Sequence, residues 1–331
     1  MEYRKFEIPL RMPVRSLCWN GDQLIDWAGG NRVFNLDGKE SGPSVNWAYR
    51  FDAAVQSPSG RYAAIYERLG TKALILDRGK LVREVNRSFY CANVYEFPIA
   101  LFQHADGREL IAHCPEHYNQ LEIDEVATGR RLTGSRDRKP ADFFHSRLTL
   151  SPDQSRILSA GWIWHPFSSA SAWPIAEALA DGAALDALRP PHGTSHAEIN
   201  SAVLIDASRV LASSNPDADD FSDDDDSSFG AGHLAIFNLE SNSFETITKI
   251  EQTVGTMLWI GDGHLVGFYE YPKAIDVNTG DVVMRWPDLA TGKQDSSIIH
   301  HVGTLSALAL DPANKRFAVA SNDRIMVIQL W

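Results

Sequence analysis

The sequence predicts an all-β fold, a seven-bladed β-propeller whose last blade is closed by the N-terminal strand. Three observations predict it. A strand–turn–strand pattern occurs seven times along the chain, a second such pattern follows it, and a strand-like segment at each end of the sequence has no local partner. The 331 residues divide into units of about 47, which is near the period of four-stranded propeller blades.

The first pattern is an alternating apolar strand, a tight turn and a second apolar strand, which we assign as strands A and B of a blade. Its turns are rich in Pro, Asp, Gly, Asn and Ser, the residues that stabilise tight turns. The clearest copies have turns at residues 57–60, 151–154 and 311–314, and weaker copies have turns at residues 20–22, 105–108, 206–208 and 261–263.

The second pattern supplies strands C and D of each blade. Its turns contain residues such as Gly38, Gly79 and Gly280, which readily adopt the positive φ that tight hairpins require. A four-stranded antiparallel sheet cannot bury both of its faces by itself. A radial arrangement of seven such sheets buries them all.

The two ends of the sequence are expected to pair. Residues 324–331 form a third strand with no fourth strand behind it, and residues 3–11 form a strand with no neighbour. Their pairing would complete the last blade and cover an edge that would otherwise favour aggregation. We therefore predict one domain, residues 1–331, with blades at roughly 14–48, 49–88, 95–140, 143–192, 197–250, 254–290 and 302–331, the last completed by 3–11.

Two segments depart from the repeat. Residues 173–188, in blade 4, are rich in helix formers and predict a strand that runs into a short helix, interrupted at Gly182. Residues 217–226, between strands B and C of blade 5, contain seven Asp, more than half of the net charge. They lack the Gly and Glu that a calcium-binding loop needs, so a solvated, self-repelling segment is expected.

The last repeat carries a family resemblance. His301 stands just before its strand A, and Asp323 lies in its strand B–C turn. Together with the Ser-Pro-Asp turn at residues 151–153, these positions resemble the WD40-repeat family, in which such an Asp hydrogen-bonds such a His. The resemblance implies a propeller that binds other proteins. The chain departs from the family because no Trp-Asp dipeptide ends a third strand and His300 occupies the usual Gly position.

Composition and charge exclude several classes of protein. Apolar residues make up 44% and charged residues 22%, and no stretch reaches the roughly 18 apolar residues of a membrane helix. The net charge of −12 disfavours nucleic acid and anionic membranes as partners. The charged N-terminus does not resemble a secretory signal, and three scattered cysteines favour a reducing compartment. We expect a cytoplasmic monomer.

The candidate binding residues lie in the long connections. In a propeller, D–A and B–C connections share one face, and here they are longer than the turns of the opposite face. Trp162, Trp164 and Phe167 are expected to be exposed, because Pro166 and several Ser surround them; the alternative is that such aromatic side chains pack between blades. The assigned partner-binding residues are Tyr90, Tyr95, Trp162, Trp164, Phe167, Asp223, Asp224, Asp225 and Asp226.

Histidines on the same face leave an enzymatic alternative open. The members assigned to it are His113, His117, His145, His165, His192, His196, His300 and His301. Neutral imidazole binds metals and titrates near neutral pH, so a hydrolase or lyase with a histidine-lined funnel, with or without a metal, is the second hypothesis. Pro115 prevents the helix that would align His113 with His117. A nearby basic run, Arg130 to Lys139, is interpreted as a solvated turn.

The functional prediction is protein binding without catalysis. The sequence contains no nucleophile elbow, dinucleotide fingerprint, phosphate-binding loop or Cys-x-x-Cys pair. We therefore assign no catalytic residue, metal ligand or cofactor. The expected partner is another protein attracted by the acidic segment, hence a basic one, for instance a toxin domain that the propeller would sequester.

Overall fold

The structure, a computed structural model, describes residues 1–43, 45–134, 137–191, 197–219 and 229–331. In this part of the chain, 26 strands form seven antiparallel sheets arranged as blades in a ring. The predicted all-β, seven-bladed propeller is therefore confirmed. The first strand, β1 (Tyr3–Pro9), belongs to the last blade.

The strands of the first four blades have the following bounds. Blade 1 contains β2 (Cys18–Asn20), β3 (Gln23–Asp26), β4 (Arg32–Asn35) and β5 (Glu40–Ser41). Blade 2 contains β6 (Ala53–Gln56), β7 (Tyr62–Tyr66), β8 (Lys72–Asp77) and β9 (Lys80–Asn86). Blade 3 contains β10 (Ile99–Gln103), β11 (Glu109–His113) and β12 (Glu122–Glu125), and blade 4 contains β13 (Leu148–Leu150), β14 (Arg156–Ile163) and β15 (Phe167–Pro174).

The remaining three blades have four strands each. Blade 5 contains β16 (Ser201–Leu204), β17 (Arg209–Ser213), β18 (His233–Asn238) and β19 (Ser243–Lys249). Blade 6 contains β20 (Met257–Gly261), β21 (His264–Gly267), β22 (Lys273–Asp276) and β23 (Val282–Arg285). Blade 7 contains β24 (Leu308–Asp311), β25 (Arg316–Ala320), β26 (Arg324–Leu330) and β1.

The hydrophobic core lies between neighbouring blades. Strand β7 is buried along its whole length, as its continuous apolar run predicts, whereas the outer strand β9 is largely exposed. Tyr62 and Ile75 of blade 2 pack in one cluster with Ile99 and Ile111 of blade 3. Each sheet therefore covers a face of its neighbour, which is why a single blade would not be stable alone.

Blade 7 is closed by the two ends of the chain, as predicted. Strand β1 pairs antiparallel with β26, from Tyr3 opposite Leu330 to Pro9 opposite Arg324. Ile8 of β1 is fully buried in a cluster shared by blades 7 and 1. The closure thus combines a backbone ladder with apolar packing.

The expectation of four regular strands is wrong for blade 3, and blade 4 also has three strands, at the point where the sequence departs from the repeat. In blade 3 the fourth strand is reduced to a bridge between Asp124 and Arg131, followed by a hydrogen bond from the Leu132 N–H to the Ile123 carbonyl (2.8 Å). In blade 4 helical segments take its place, because Ala and Leu favour a helix over an edge strand.

The predicted short helix of blade 4 is confirmed. Helix α1 (Ile175–Ala180) follows β15 directly, and a 3-10 helix (Gly182–Leu185) follows α1. Ala178 and Leu185 pack against the interface of blades 3 and 4. In the described ranges, neither helix has the length or the apolar composition needed to cross a membrane.

A buried arginine shapes the connection from blade 3 to blade 4. The Arg138 side chain, only 3% exposed, donates through Nε to Asp186 Oδ1 (2.7 Å) and lies 3.2 Å from Glu122 Oε2. It also donates to the carbonyl oxygens of Thr133 (3.1 Å) and Leu121 (3.0 Å). The interpretation of the basic run as a solvated turn is therefore wrong for Arg138, whose charge is neutralised inside the fold.

The connection from blade 6 to blade 7 crosses the mouth of the central channel. Ile298 forms a bridge with Tyr95, and the Ile299 N–H donates to the Val94 carbonyl (2.9 Å). Val94 and Tyr95 lead into blade 3, which lies across the ring from blades 6 and 7. We call residues 294–300 the strap.

Candidate functional site

Six aromatic side chains meet beside blades 3 and 4, on the face of the D–A and B–C connections. They come from the connection between blades 2 and 3, the B–C connection of blade 3, the connection between blades 3 and 4, and the end of β14. The members of this aromatic cluster are Tyr90, Tyr95, Tyr118, Phe144, Trp162 and Trp164.

Phe144 is the centre of the aromatic cluster. Its ring stacks on Trp162, with ring centroids 3.7 Å apart and an interplanar angle of 7°, and on Tyr118 at 4.1 Å. The Phe144 N–H also donates to the Trp162 carbonyl (2.8 Å). Stacked rings that are also joined through the backbone form a rigid base, because neither ring can turn independently.

The aromatic cluster has a buried base and an exposed edge. Tyr95 and Trp162 are only 1% and 2% exposed. Tyr90 is 48% exposed and Trp164 is 44% exposed, although both rings contact Phe144. Phe89, the neighbour of Tyr90, is 87% exposed. Large apolar side chains held this far into solvent on a fixed base are typical of interaction surfaces.

The structure separates the predicted aromatic residues into two groups. Tyr90 and Trp164 are accessible, whereas Tyr95 and Trp162 lie in the base and are not available to a partner. The expectation that Trp162 is exposed is wrong, because Phe144 covers it and the neighbouring serines belong to a long β14–β15 hairpin. Phe167 is half-buried opposite Ile163 at the start of β15.

The predicted acidic residues Asp223, Asp224, Asp225 and Asp226 lie outside the described residues. Their assignment as partner-binding residues therefore stays a prediction based on sequence. The described part of the insertion, residues 215–219, follows β17 and belongs to the B–C connection of blade 5. That connection shares its face with the aromatic cluster.

Three residues of the site were missed by the assignment from sequence. Phe89 is the most exposed large apolar side chain among the described residues, and Tyr118 and Phe144 complete the aromatic stack. The available signal was the pairing of bulky residues inside polar connections, Phe89 with Tyr90 and Phe143 with Phe144. Such pairs are hard to bury in a loop unless a second segment covers them.

A buried cation fixes the connection that carries Phe89 and Tyr90. The Arg87 guanidinium donates to the carbonyl oxygens of Ala92 (2.6 Å) and Tyr95 (3.0 Å), and lies over the Tyr95 ring at 4.7 Å. Burial lowers the pKa of Arg87. These contacts hold both ends of the loop formed by residues 87–95, on which Phe89 is exposed.

The histidines of this face do not converge. His113 is buried and its Nε2 lies 3.0 Å from Asp124 Oδ2 inside blade 3, while His145 is buried between Phe143 and Trp173. Four other histidines of this face are exposed, namely His117, His165, His300 and His301. The remaining two, His192 and His196, lie outside the described residues. In the described part of the chain, no group of three His, Cys, Asp or Glu side chains is placed to hold a metal.

The contact implied by the WD40 resemblance is replaced by another. Asp323 Oδ1 accepts a hydrogen bond from the Ser321 hydroxyl (2.7 Å), and His301 is exposed. Blade 1 has a stronger equivalent, in which the buried Asp26 accepts from the backbone N–H and the hydroxyl of Ser16 (3.0 and 3.1 Å). The strand B–C region is thus tied to the start of strand A without the family's histidine.

We predict a pH dependence of stability that is caused by His145. Burial, with a smaller contribution from the Arg138 charge, lowers the pKa of His145 to about 3. The unfolded chain therefore binds the proton at higher pH than the folded chain does. Stability should fall as the pH drops below about 6.5, by about 2 kcal/mol between pH 7 and pH 5.

Urea unfolding of the wild type and H145Q at several pH values tests this prediction, because H145Q should lose this part of the dependence of stability on pH. The exposed-site variant H117Q should retain it, and an equal slope in H145Q and wild type would contradict the assignment.

No protein-family profile matches the chain, and no curated protein matches it in sequence. What is established is the seven-bladed arrangement of the described residues.

Proposed function

We propose that the protein is a non-enzymatic binding module that docks a partner protein on the exposed edge of the aromatic cluster. The observation that carries this proposal is the placement of Phe89, Tyr90 and Trp164. All three side chains are exposed, and two of them rest on the stacked base around Phe144. We call these three side chains the aromatic edge.

A rigid aromatic edge suits a protein partner for energetic reasons. Aromatic side chains dominate the binding energy of protein interfaces, since they bury a large area for few rotatable bonds. Tyr90 and Trp164 are already restricted by ring contacts at 5.9 Å and 5.5 Å to Phe144. Less conformational entropy is therefore lost when a partner covers them.

The partner in this proposal is a basic protein. The net charge is −12, and residues 217–226 contribute seven Asp to the B–C connection of blade 5. The described part of that connection, residues 215–219, shares its face with the aromatic edge. Opposite charges raise the rate of encounter over distances comparable with the Debye length, about 10 Å at moderate salt. Sequestration of a basic toxin domain is a specific form of this proposal, supported by charge alone.

The WD40-like resemblance, a cytoplasmic location and a monomeric state belong to the same proposal. The resemblance is supported by the blade architecture and by the tie between the B–C region and strand A in blade 1. The alternative, a histidine-dependent hydrolase or lyase, is less favoured because the described histidines are dispersed among blades and surface turns.

The aromatic edge can be tested by substitution. Affinity capture with the wild-type protein identifies binders, and the binder is then titrated against F89A/Y90A/W164A. We expect the variant to bind at least about 100-fold more weakly, because hot-spot aromatic residues each contribute roughly 2 kcal/mol or more. The melting temperature should change little, since the buried base stays intact.

A matched control is available on the outer strands. Leu81 and Val283 are exposed apolar residues of β9 and β23, away from the aromatic edge. L81A/V283A should bind the partner like the wild type. If the control variant loses as much affinity as F89A/Y90A/W164A, docking on the aromatic edge is wrong.

The acidic segment should control the rate of association. Replacing Asp223, Asp224, Asp225 and Asp226 by Asn keeps the chain length and removes four charges. We expect an association rate constant roughly tenfold lower at low salt, little change in the dissociation rate, and convergence with the wild type at high salt. Stopped-flow mixing with the captured partner measures both constants. Equal association rates at low salt would rule out steering by this segment.

A further inference from the structure

A recess lies on the face of the D–A and B–C connections, between blades 7, 1 and 2. Its volume is 580 Å³, within the range of small-molecule sites. Arg15 lines it from the connection between blades 7 and 1, Arg50 from the connection between blades 1 and 2, and Arg68 from the B–C connection of blade 2. The end of the strap and residues 302–305 form the remaining wall. We call this feature the arginine recess.

Two of its arginines have no counterion among the described residues. The side chains of Arg15 and Arg50 are exposed and make no ion pair or hydrogen bond with any residue that the structure describes. The Arg68 guanidinium forms an ion pair with Glu96, with 3.8 Å between Nη1 and Oε1. Asp52 is the one carboxylate of the lining, and it accepts the backbone N–H of Arg68 (2.8 Å). Within a protein of net charge −12, the lining of this recess is therefore positive.

The backbone at Arg15 and Arg68 is held by hydrogen bonds to buried parts of the fold. The Arg15 N–H donates to Asp26 Oδ2 (3.2 Å), and Asp26 is buried in an ion pair with Arg32 (2.8 Å). The Arg68 carbonyl accepts hydrogen bonds from the Phe97 N–H (2.9 Å) and from Arg87 Nη2 (3.1 Å). The Arg15 and Arg68 side chains therefore extend from fixed backbone positions, so no backbone ordering is needed there when a ligand binds.

Much of the remaining lining of the arginine recess is apolar. Phe51 and Ile299 are buried in its wall, and Leu69, Val302 and Leu305 also line it. Guanidinium groups bind phosphate and carboxylate oxygens through paired hydrogen bonds. We propose that the arginine recess binds a small organic anion, in which a phosphate or carboxylate meets the arginines and an apolar body packs against Phe51 and Ile299. This ligand site is separate from the aromatic edge of the proposed function.

Titration calorimetry at constant ionic strength with three probes tests the proposal. Phenyl phosphate and benzoate share one apolar ring and differ in the anionic group, and benzyl alcohol supplies a ring without charge. At least one anion should bind, and benzyl alcohol should bind at least about tenfold more weakly, because the charged hydrogen bonds are lost. The stronger anion identifies phosphate or carboxylate as the preferred group. Failure of both anions to bind, or equal binding of benzyl alcohol, would overturn the proposal.

Variants assign the binding to the arginine recess. R15Q/R50Q removes two exposed charges and should weaken anion binding at least about tenfold without changing the melting temperature. R285Q removes an exposed charge from β23, at the outer edge of blade 6, and should bind like the wild type. Unchanged binding by R15Q/R50Q would refute the site. F89A/Y90A/W164A should retain anion binding, which distinguishes failure here from failure of the proposed protein-binding function.

Discussion

Deletion of residues 1–11 is expected to abolish the stable ring. Seven residue pairs of the β1–β26 ladder would be lost, and fully buried Ile8 would leave the cluster that contains Phe34 and Val327. Each lost hydrogen bond costs about 1 kcal/mol and the lost isoleucine about 2 kcal/mol. The sum approaches the total stability of a typical domain, roughly 5–15 kcal/mol. Thermal melting and size-exclusion chromatography should show a strongly lowered transition and aggregation through the bare edge of β26.

Two companion measurements keep this prediction specific. R4A changes an exposed residue of β1 and should melt like the wild type. A peptide of residues 1–11, added to the truncated protein, should restore part of the lost melting temperature by occupying the edge of β26. A truncated protein that melts like the wild type would mean that β1 contributes nothing to closure.

Substitution of Arg138 by alanine should cause the second large loss of stability. Arg138 neutralises Glu122, which is buried, and Asp186, which is nearly buried. Without it, two carboxylates remain in a low-dielectric environment without a counterion. Removing one partner of a buried ion pair typically costs about 3–5 kcal/mol. Urea unfolding of R138A against the wild type measures this difference.

The same connection offers a matched control and a rescue. Arg130 lies close by but is exposed, and its nearest carboxylate oxygen on Glu125 is 3.6 Å away. R130A should therefore lose less than about 1 kcal/mol. E122Q in the R138A background should recover part of the loss, because it removes one of the uncompensated charges. If R138A and R130A unfold at the same urea concentration, the burial argument fails.

The number of blades and the ring closure could be predicted because they depend on short-range signals. Strand alternation and turn residues act over a few positions. The β1 and β26 segments each lacked a neighbouring strand, so pairing them with each other was the simplest arrangement. The reduced fourth strand of blade 3 was not predictable in this way. The connection that follows it is fixed by Arg138, whose partner Asp186 lies 48 residues further along the chain.

The aromatic cluster shows the same limit at the candidate site. Trp162 and Trp164 are two residues apart in one hairpin, yet the first is buried and the second is exposed. The difference is made by Phe144, which reaches Trp162 from a separate connection. The sequence identified the face on which these segments should meet. It could not show which ring covers which, because ring contacts between segments leave no periodic signal.

The pairing of β1 with β26 also constrains the order in which the ring can form during synthesis. β1 is synthesised long before β26, so it stays unpaired until the last blade is complete. The sequence of β1 is suited to remaining unpaired, because Arg4, Lys5 and Glu7 place charges along this strand. Charged side chains discourage an unpaired strand from joining the wrong neighbour. The charges on the strand that completes the ring are therefore expected to reduce its association with a wrong strand during translation.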